Sequence, residues 1–126
     1  MHNDECLLLL AHGSPDPRWR KPFEHLVRDL AVELNARGPL LAYMEFIPPT
    51  LADAVAEAGR RGLRRIAILP LFMSGGGHVA TDIPAQVEAA RQVHPGVAIR
   101  VLPPVGEHPR FQKVLREIIR DLQHRA

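Results

Sequence analysis

Four short apolar segments alternate along the chain with four stretches of helical period, and that alternation limits the possible folds to very few. The segments are residues 6–11 (CLLLLA), 40–47 (LLAYMEFI), 65–72 (RIAILPLF) and 98–102 (AIRVL). The first and third lack polar alternation, as strands covered by helices on both faces do. After the first, Phe23, Leu26, Val27, Leu30, Ala31 and Leu34 keep i, i+3, i+4 spacing, and Gly38 follows as a stop signal. Phe111, Val114, Leu115, Ile118, Ile119 and Leu122 repeat the pattern at the end of the chain. Thr50 with Asp53 three residues on predicts a capping-box start for a second helix, with Leu51, Ala54, Val55 and Ala58 facing inward. A third helix is expected from about Thr81 or Asp82, with Pro84 in its first turn. The order βαβαβαβα with right-handed crossovers predicts a parallel four-stranded sheet with helices on both faces. The expected class is flavodoxin-like α/β, strand order 2-1-3-4, which puts a ligand beyond the carboxyl ends of strands 1 and 3, where the order reverses.

The chain has 126 residues, enough for a single domain (1–126) with a real core and short of two comfortable ones. With 46% hydrophobic and 24% charged residues it reads as globular, which excludes a disordered chain. Residues 6–11 fall far short of a membrane span, and Asp4 and Glu5 stand where a signal peptide carries positive charge, so no membrane association and a cytoplasmic location are expected. A single cysteine, Cys6, rules out an internal disulfide and fits a reducing compartment. The formal charge of +2 rests mainly on arginine. Its densest cluster, Arg60, Arg61, Arg64 and Arg65, has no interleaved aromatic residue for base stacking and reads as a solvated loop, so no nucleic-acid partner is expected.

Strand 1 runs into His12-Gly13-Ser14 and strand 3 into Ser74-Gly75-Gly76-Gly77-His78, so two histidines should emerge from adjacent strands at one sheet edge. Strand 2 carries Glu45 between Met44 and Phe46, and a carboxylate in such an apolar segment is rarely buried without a partner. Two imidazoles and a carboxylate suit a divalent first-row metal ion. Singly, each has a plainer role: a loop hydrogen-bonder, a solvated edge-strand acid, a turn made of glycines. Their coincidence at the predicted ligand edge favours a site. Gly75 to Ala80 also satisfies a dinucleotide-binding fingerprint, but no acid follows about twenty residues on to hold a ribose, and no P-loop lysine follows the glycines. The arginine that would make Ala11-His12-Gly13 a phosphatase turn is an alanine.

These stretches together resemble a known family. LLLLAHGS, MEFIPPTLADA, LPLFMSGGGHVATDIPA and the late VGEHP are similar to the small class II chelatases, the CbiX and SirB group that inserts a metal into sirohydrochlorin. The resemblance spans nearly the whole chain, and the histidine-after-glycines segment is its most specific part. It implies a chelatase-like fold, a cytoplasmic enzyme of cobalamin or siroheme synthesis, and a short form acting as a homodimer. Position by position, His12 and His78 match the family's metal-handling histidines and Glu45 its acidic partner.

Metal insertion requires loss of two pyrrole protons and exchange of the ion's water ligands. Imidazole, with a pKa of about 6.5, serves as ligand or proton acceptor near neutrality. The expected roles are therefore His12 and His78 holding the ion on one face of the macrocycle, with Glu45 either completing the coordination or accepting a proton. The ion, Co²⁺, Fe²⁺ or Ni²⁺, is a substrate, and no permanent cofactor is expected. The tetrapyrrole's acetate and propionate arms call for cationic and hydrogen-bonding groups nearby: Arg18 first, with Arg20 and Lys21, and Ser14 and Ser74 as donors. Gly75, Gly76 and Gly77 would let a flat ligand approach the backbone. His108 has two readings, capping the last helix or reaching the pocket. A non-catalytic metal or tetrapyrrole carrier would use the same residues, and multiple turnover separates it from an enzyme; a phosphate-binding signalling module would want a donor-rich or acidic loop where His12-Gly13-Ser14 stands.

Overall fold

The computed structural model describes residues 5–77 and 79–125. Four strands, β1 (Glu5–Ala11), β2 (Leu40–Tyr43), β3 (Arg65–Pro70) and β4 (Ala98–Val101), form one all-parallel sheet in the order β2-β1-β3-β4. The two central strands are the most apolar, as strands flanked on both sides must be. The register sets Leu8 beside Leu40 and Ile68, and Leu10 beside Ala42 and Pro70.

Side chains alternate across the sheet, so one face is built from Cys6, Leu8, Leu10, Leu40, Ala42, Ile66, Ile68 and Ile99. Helices α2 (Leu51–Arg60) and α3 (Val79–Val93) pack on it with Leu51, Ala54, Val55, Ala58, Val79, Ile83, Val87 and Ala90. This is the main core. Truncating one of its fully buried leucines or isoleucines to alanine costs about 2–5 kcal/mol. The opposite face carries α1 (Lys21–Leu34), whose Phe23 lines a pocket together with Tyr43 and Leu71. The last helix, α4 (Pro109–Arg125), packs chiefly on the short 3-10 turn Val105–Glu107 and buries none of its side chains. Helices thus lie on both faces of a flavodoxin-like sheet, as the segment order predicts, although α4 leaves its apolar stripe uncovered.

The element ends differ in instructive ways. Helix α2 begins as expected: the Thr50 hydroxyl accepts from the Asp53 N–H at 3.1 Å, and the Thr50 N–H donates to Asp53 Oδ2 at 2.9 Å. Helix α3 starts at Val79, earlier than Thr81, because Val79 is pulled into the core and the Ala80 N–H already bonds the Gly77 carbonyl at 3.2 Å. Strand β2 stops at Tyr43 and not at Ile47, since the Tyr43 N–H turns to the Pro49 carbonyl at 2.9 Å. At the amino ends of the strands, Arg100 holds the buried Glu5 carboxylate through two 2.8 Å hydrogen bonds. Arg60 and Arg61 both bind Glu57, and Arg64 and Arg65 sit at that same end, far from the switch point. Cys6 is fully buried. Among the described residues no helix is long and apolar enough to cross a membrane.

Candidate active site at the carboxyl end of the sheet

Two loops are tied to the end of β1 and to the turn that follows it. The Met44 N–H donates to the Ala11 carbonyl at 2.9 Å and the Glu45 N–H to the His12 carbonyl at 3.1 Å, so the segment after β2 runs alongside the turn after β1. On the other side the Leu71 N–H donates to the Leu10 carbonyl at 2.8 Å. That bond seats Phe72 beneath the exposed His12 ring, with centroids 4.3 Å apart and planes tilted by 47°. Gly13 makes the approach possible: with φ of +96°, a Cβ there would lie 2.1 Å from the Glu45 carbonyl oxygen.

Glu45 therefore lies past the strand, on a bend, exposed and next to His12 along the backbone. Its neighbour Phe46 has φ of 75°, in the left-handed region that bulky residues seldom adopt, and such positions concentrate at functional sites. From the far side, Gln86 of α3 donates to the Met44 carbonyl at 3.1 Å and so fixes this bend to a helix.

The glycine segment is held from an unexpected quarter. The Glu107 carboxylate accepts from the Gly75 N–H at 3.0 Å, and the Gly106 N–H donates to the Phe72 carbonyl at 2.9 Å. Gly106 sits so close that a Cβ would be 2.1 Å from the Met73 carbonyl oxygen. The VGEHP stretch thus acts as the dock for the loop after β3. A carboxylate six residues past a strand gives no such signal in sequence, because the contact joins residues 32 apart. Among the described residues, a Cβ at Gly77 would meet nothing within 4 Å and one at Gly76 only the Ser74 hydroxyl at 3.9 Å.

Of the expected trio, His12 and Glu45 are brought to one edge, while His78 lies outside the described residues. Among the described residues no three histidine, cysteine or acidic side chains gather into a metal-holding group. Ser14 and Ser74 accept from the N–H groups of Asp16 and Gly76, which leaves each hydroxyl proton available to a ligand. Arg18 is bound by Asp16 at 2.6 Å, and this pairing holds the Asp16 carboxyl below the usual range. Arg20 differs: it lines a pocket beside His12. His108 caps the last helix, its Nδ1 accepting from the Arg110 N–H at 3.1 Å. Trp19, Phe46 and Met73 are exposed on the loops after β1, β2 and β3, and Trp19 lines the pocket beside His12.

The model of the CbiX family matches residues 6–122. The chain belongs to the CbiX family. The fold agrees: the crystal structure of a CbiX protein from Marinobacter aquaeolei VT8 superposes with a TM-score of 0.82 at 34% identity, covering 96% of each chain. The cobalt complex of the sirohydrochlorin chelatase SirB from Bacillus subtilis subspecies spizizenii gives a TM-score of 0.76 at 20% identity, a likeness of fold, and covers 93% of this chain against 50% of that one. Among curated relatives, a sirohydrochlorin cobaltochelatase of Methanocaldococcus jannaschii is 36% identical over 64% of this chain and 56% of its own length. A chloroplastic sirohydrochlorin ferrochelatase of Arabidopsis thaliana is 30% identical over 94% of this chain and 51% of its own. This CbiX-family chain spans about half the length of those relatives.

Proposed function

We propose that this CbiX-family chain is a sirohydrochlorin chelatase that inserts Co²⁺ or Fe²⁺, with Ni²⁺ also admitted, into the tetrapyrrole during cobalamin or siroheme synthesis in the cytoplasm. The observation that carries the reading is the joined turn at the sheet's carboxyl end. There the Glu45 N–H meets the His12 carbonyl, and the loops after β1, β2 and β3 leave Trp19, Phe46 and Met73 exposed. Those apolar side chains suit a flat apolar macrocycle; the imidazole and carboxylate suit an incoming cation and the departing pyrrole protons. The names of the cobalto- and ferrochelatase relatives support the same reaction.

In this reading the tetrapyrrole lies over the glycine segment. His12 holds the metal ion together with His78, and Glu45 completes the coordination or accepts a pyrrole proton. Phe72 supports the His12 ring from beneath, which limits its rotation without removing it from water. An exposed site of few ligands binds the ion loosely, as transfer requires. A second copy of the chain supplies the other wall, and the homodimer is supported by the uncovered apolar stripe of α4 and by the near-doubled length of the Arabidopsis thaliana relative.

The test is anaerobic incubation of the chain with sirohydrochlorin and each of Co²⁺, Fe²⁺ and Ni²⁺, following the macrocycle's absorbance through several turnovers. We expect His12→Ala and His78→Ala each to reduce the rate above the spontaneous background by about 100-fold or more, the loss typical of a removed acid–base or metal-handling group. Stoichiometric uptake without turnover, or variants as fast as the parent, would overturn the proposal.

A further inference from the structure

Between α1 and the sheet lies a pocket of about 160 Å³ whose lining includes His12, Trp19, Arg20, Phe23, Tyr43 and Leu71. It is well below the roughly 300 Å³ at which pockets for whole ligands begin, so it admits a side arm and not a ring. Among the described residues, the Arg20 Nε–H and the Tyr43 hydroxyl are the buried side-chain polar atoms with no hydrogen-bond partner, and both belong to this pocket. Tyr43 is the chain's sole tyrosine and only 3% exposed. Buried donors are almost always satisfied, because leaving one unpaired forfeits its hydration with nothing in return. Neither atom touches solvent, but both residues line one apolar-walled pocket, and a shared acceptor entering it would satisfy the two together.

The chemistry of that acceptor follows from the donors. Arg20 brings a permanent positive charge. The Tyr43 hydroxyl stays protonated well past neutrality, since burial and then the Glu24 carboxylate raise its pKa against the opposing pull of Arg20. A guanidinium N–H and a phenol O–H together match the two oxygens of a carboxylate. Among the described residues Glu24 is the acid whose charge reaches Tyr43, and it disfavours a multiply charged anion more than a single carboxylate.

We propose that this pocket receives one carboxylate arm of the tetrapyrrole, held by the Arg20 Nε–H and the Tyr43 O–H, and so fixes the macrocycle's rotation over His12. The inference rests on the chelatase reading for the identity of the arm, and on the pocket alone for its chemistry. His12 lines the same pocket, so an arm seated there brings the ring's edge to the imidazole.

Trp19 is the only tryptophan and stands at the pocket, which gives a readout independent of activity. Its emission is titrated with propionate, and with propionamide at matched ionic strength. We expect a saturable change with propionate alone, weakened about tenfold in Tyr43→Phe and in Arg20→Lys. Tyr43→Phe removes only a hydroxyl with no partner, so its fold persists. In turnover, the same variants should raise KM for sirohydrochlorin about tenfold while KM for the metal ion stays within twofold. Equal response to propionamide, no response to propionate, or undiminished binding by Tyr43→Phe would overturn the pocket's assignment even if metal insertion is observed. Propionate binding through Tyr43 without any metal insertion would instead remove the chelatase reading and leave the carboxylate pocket standing.

Discussion

Cys6 shows how much one residue's surroundings decide its chemistry. It sits in β1 with no solvent exposure, and burial pushes its thiol up to about 11 against a modest opposing pull from Arg61. At neutral pH the native thiol is protonated and enclosed, and so unreactive. An unfolded chain loses the thiol proton near pH 9, whereas the native chain keeps it to about 11. Stability contributed by this group is complete below pH 9 and is lost as pH rises through that window. We expect a disulfide reagent to label Cys6 at pH 8 only at the rate of unfolding, and Cys6→Ala to flatten the decline in urea midpoint between pH 9 and 11. Rapid labelling of the native chain would contradict the burial. The residue's core role was legible in CLLLLA, since a cysteine in an apolar run has nowhere else to go. The placing of Tyr43 and Arg20 in one pocket was not, because nothing in a local window shows that a side chain's hydroxyl is left without a partner.

At the level of elements, local chemistry and long-range contact divide the work. The capping box of α2 involves neighbours three residues apart, so Thr50 and Asp53 announce it in the sequence, and Thr50→Ala should cost about 1 kcal/mol in urea denaturation. The dock for the glycine segment is the opposite case. Gly106 meets Met73 across more than thirty residues, and a methyl group there has no space. Gly106→Ala should destabilise the chain by about 1–3 kcal/mol through overpacking. It should also depress metal insertion beyond what its stability loss explains, because the loop it displaces precedes His78. Comparing the two variants at equal folded fraction separates these effects; if Gly106→Ala retains parental kcat/KM, the dock does not position the loop. The early end of β2 has the same character. LLAYMEFI reads as one strand, but the Tyr43 N–H finds Pro49 and Glu45 is released onto the bend beside His12.

For the whole molecule, the unfinished part is α4. Val114, Ile118, Ile119 and Leu122 are each between 50% and 61% exposed, although they form one stripe of an amphipathic helix. A stripe of that kind is stable in water only against another surface, and the homodimer proposed above supplies one. Sedimentation velocity at micromolar concentration should give a dimer for the parent, and a monomer for the double variant Ile118→Glu, Ile119→Glu, with metal insertion lost alongside. A monomeric parent that still turns over would show that one copy suffices.

The sequence by itself determined the strand order and the inward face of α2, and it pointed to the sheet edge where the candidate site lies. Hydrophobic period and crossover handedness are local properties that propagate through a parallel sheet with few alternatives. Only the tertiary structure decided that Glu45 leaves its strand to lie beside His12, that Glu107 and Gly106 hold the glycine segment, and that Arg20 and Tyr43 share an apolar pocket. Each of those depends on backbone or side-chain atoms far apart in the chain meeting within hydrogen-bond or van der Waals distance. Such meetings are fixed by the packing of the sheet and leave no periodic trace in the residues themselves.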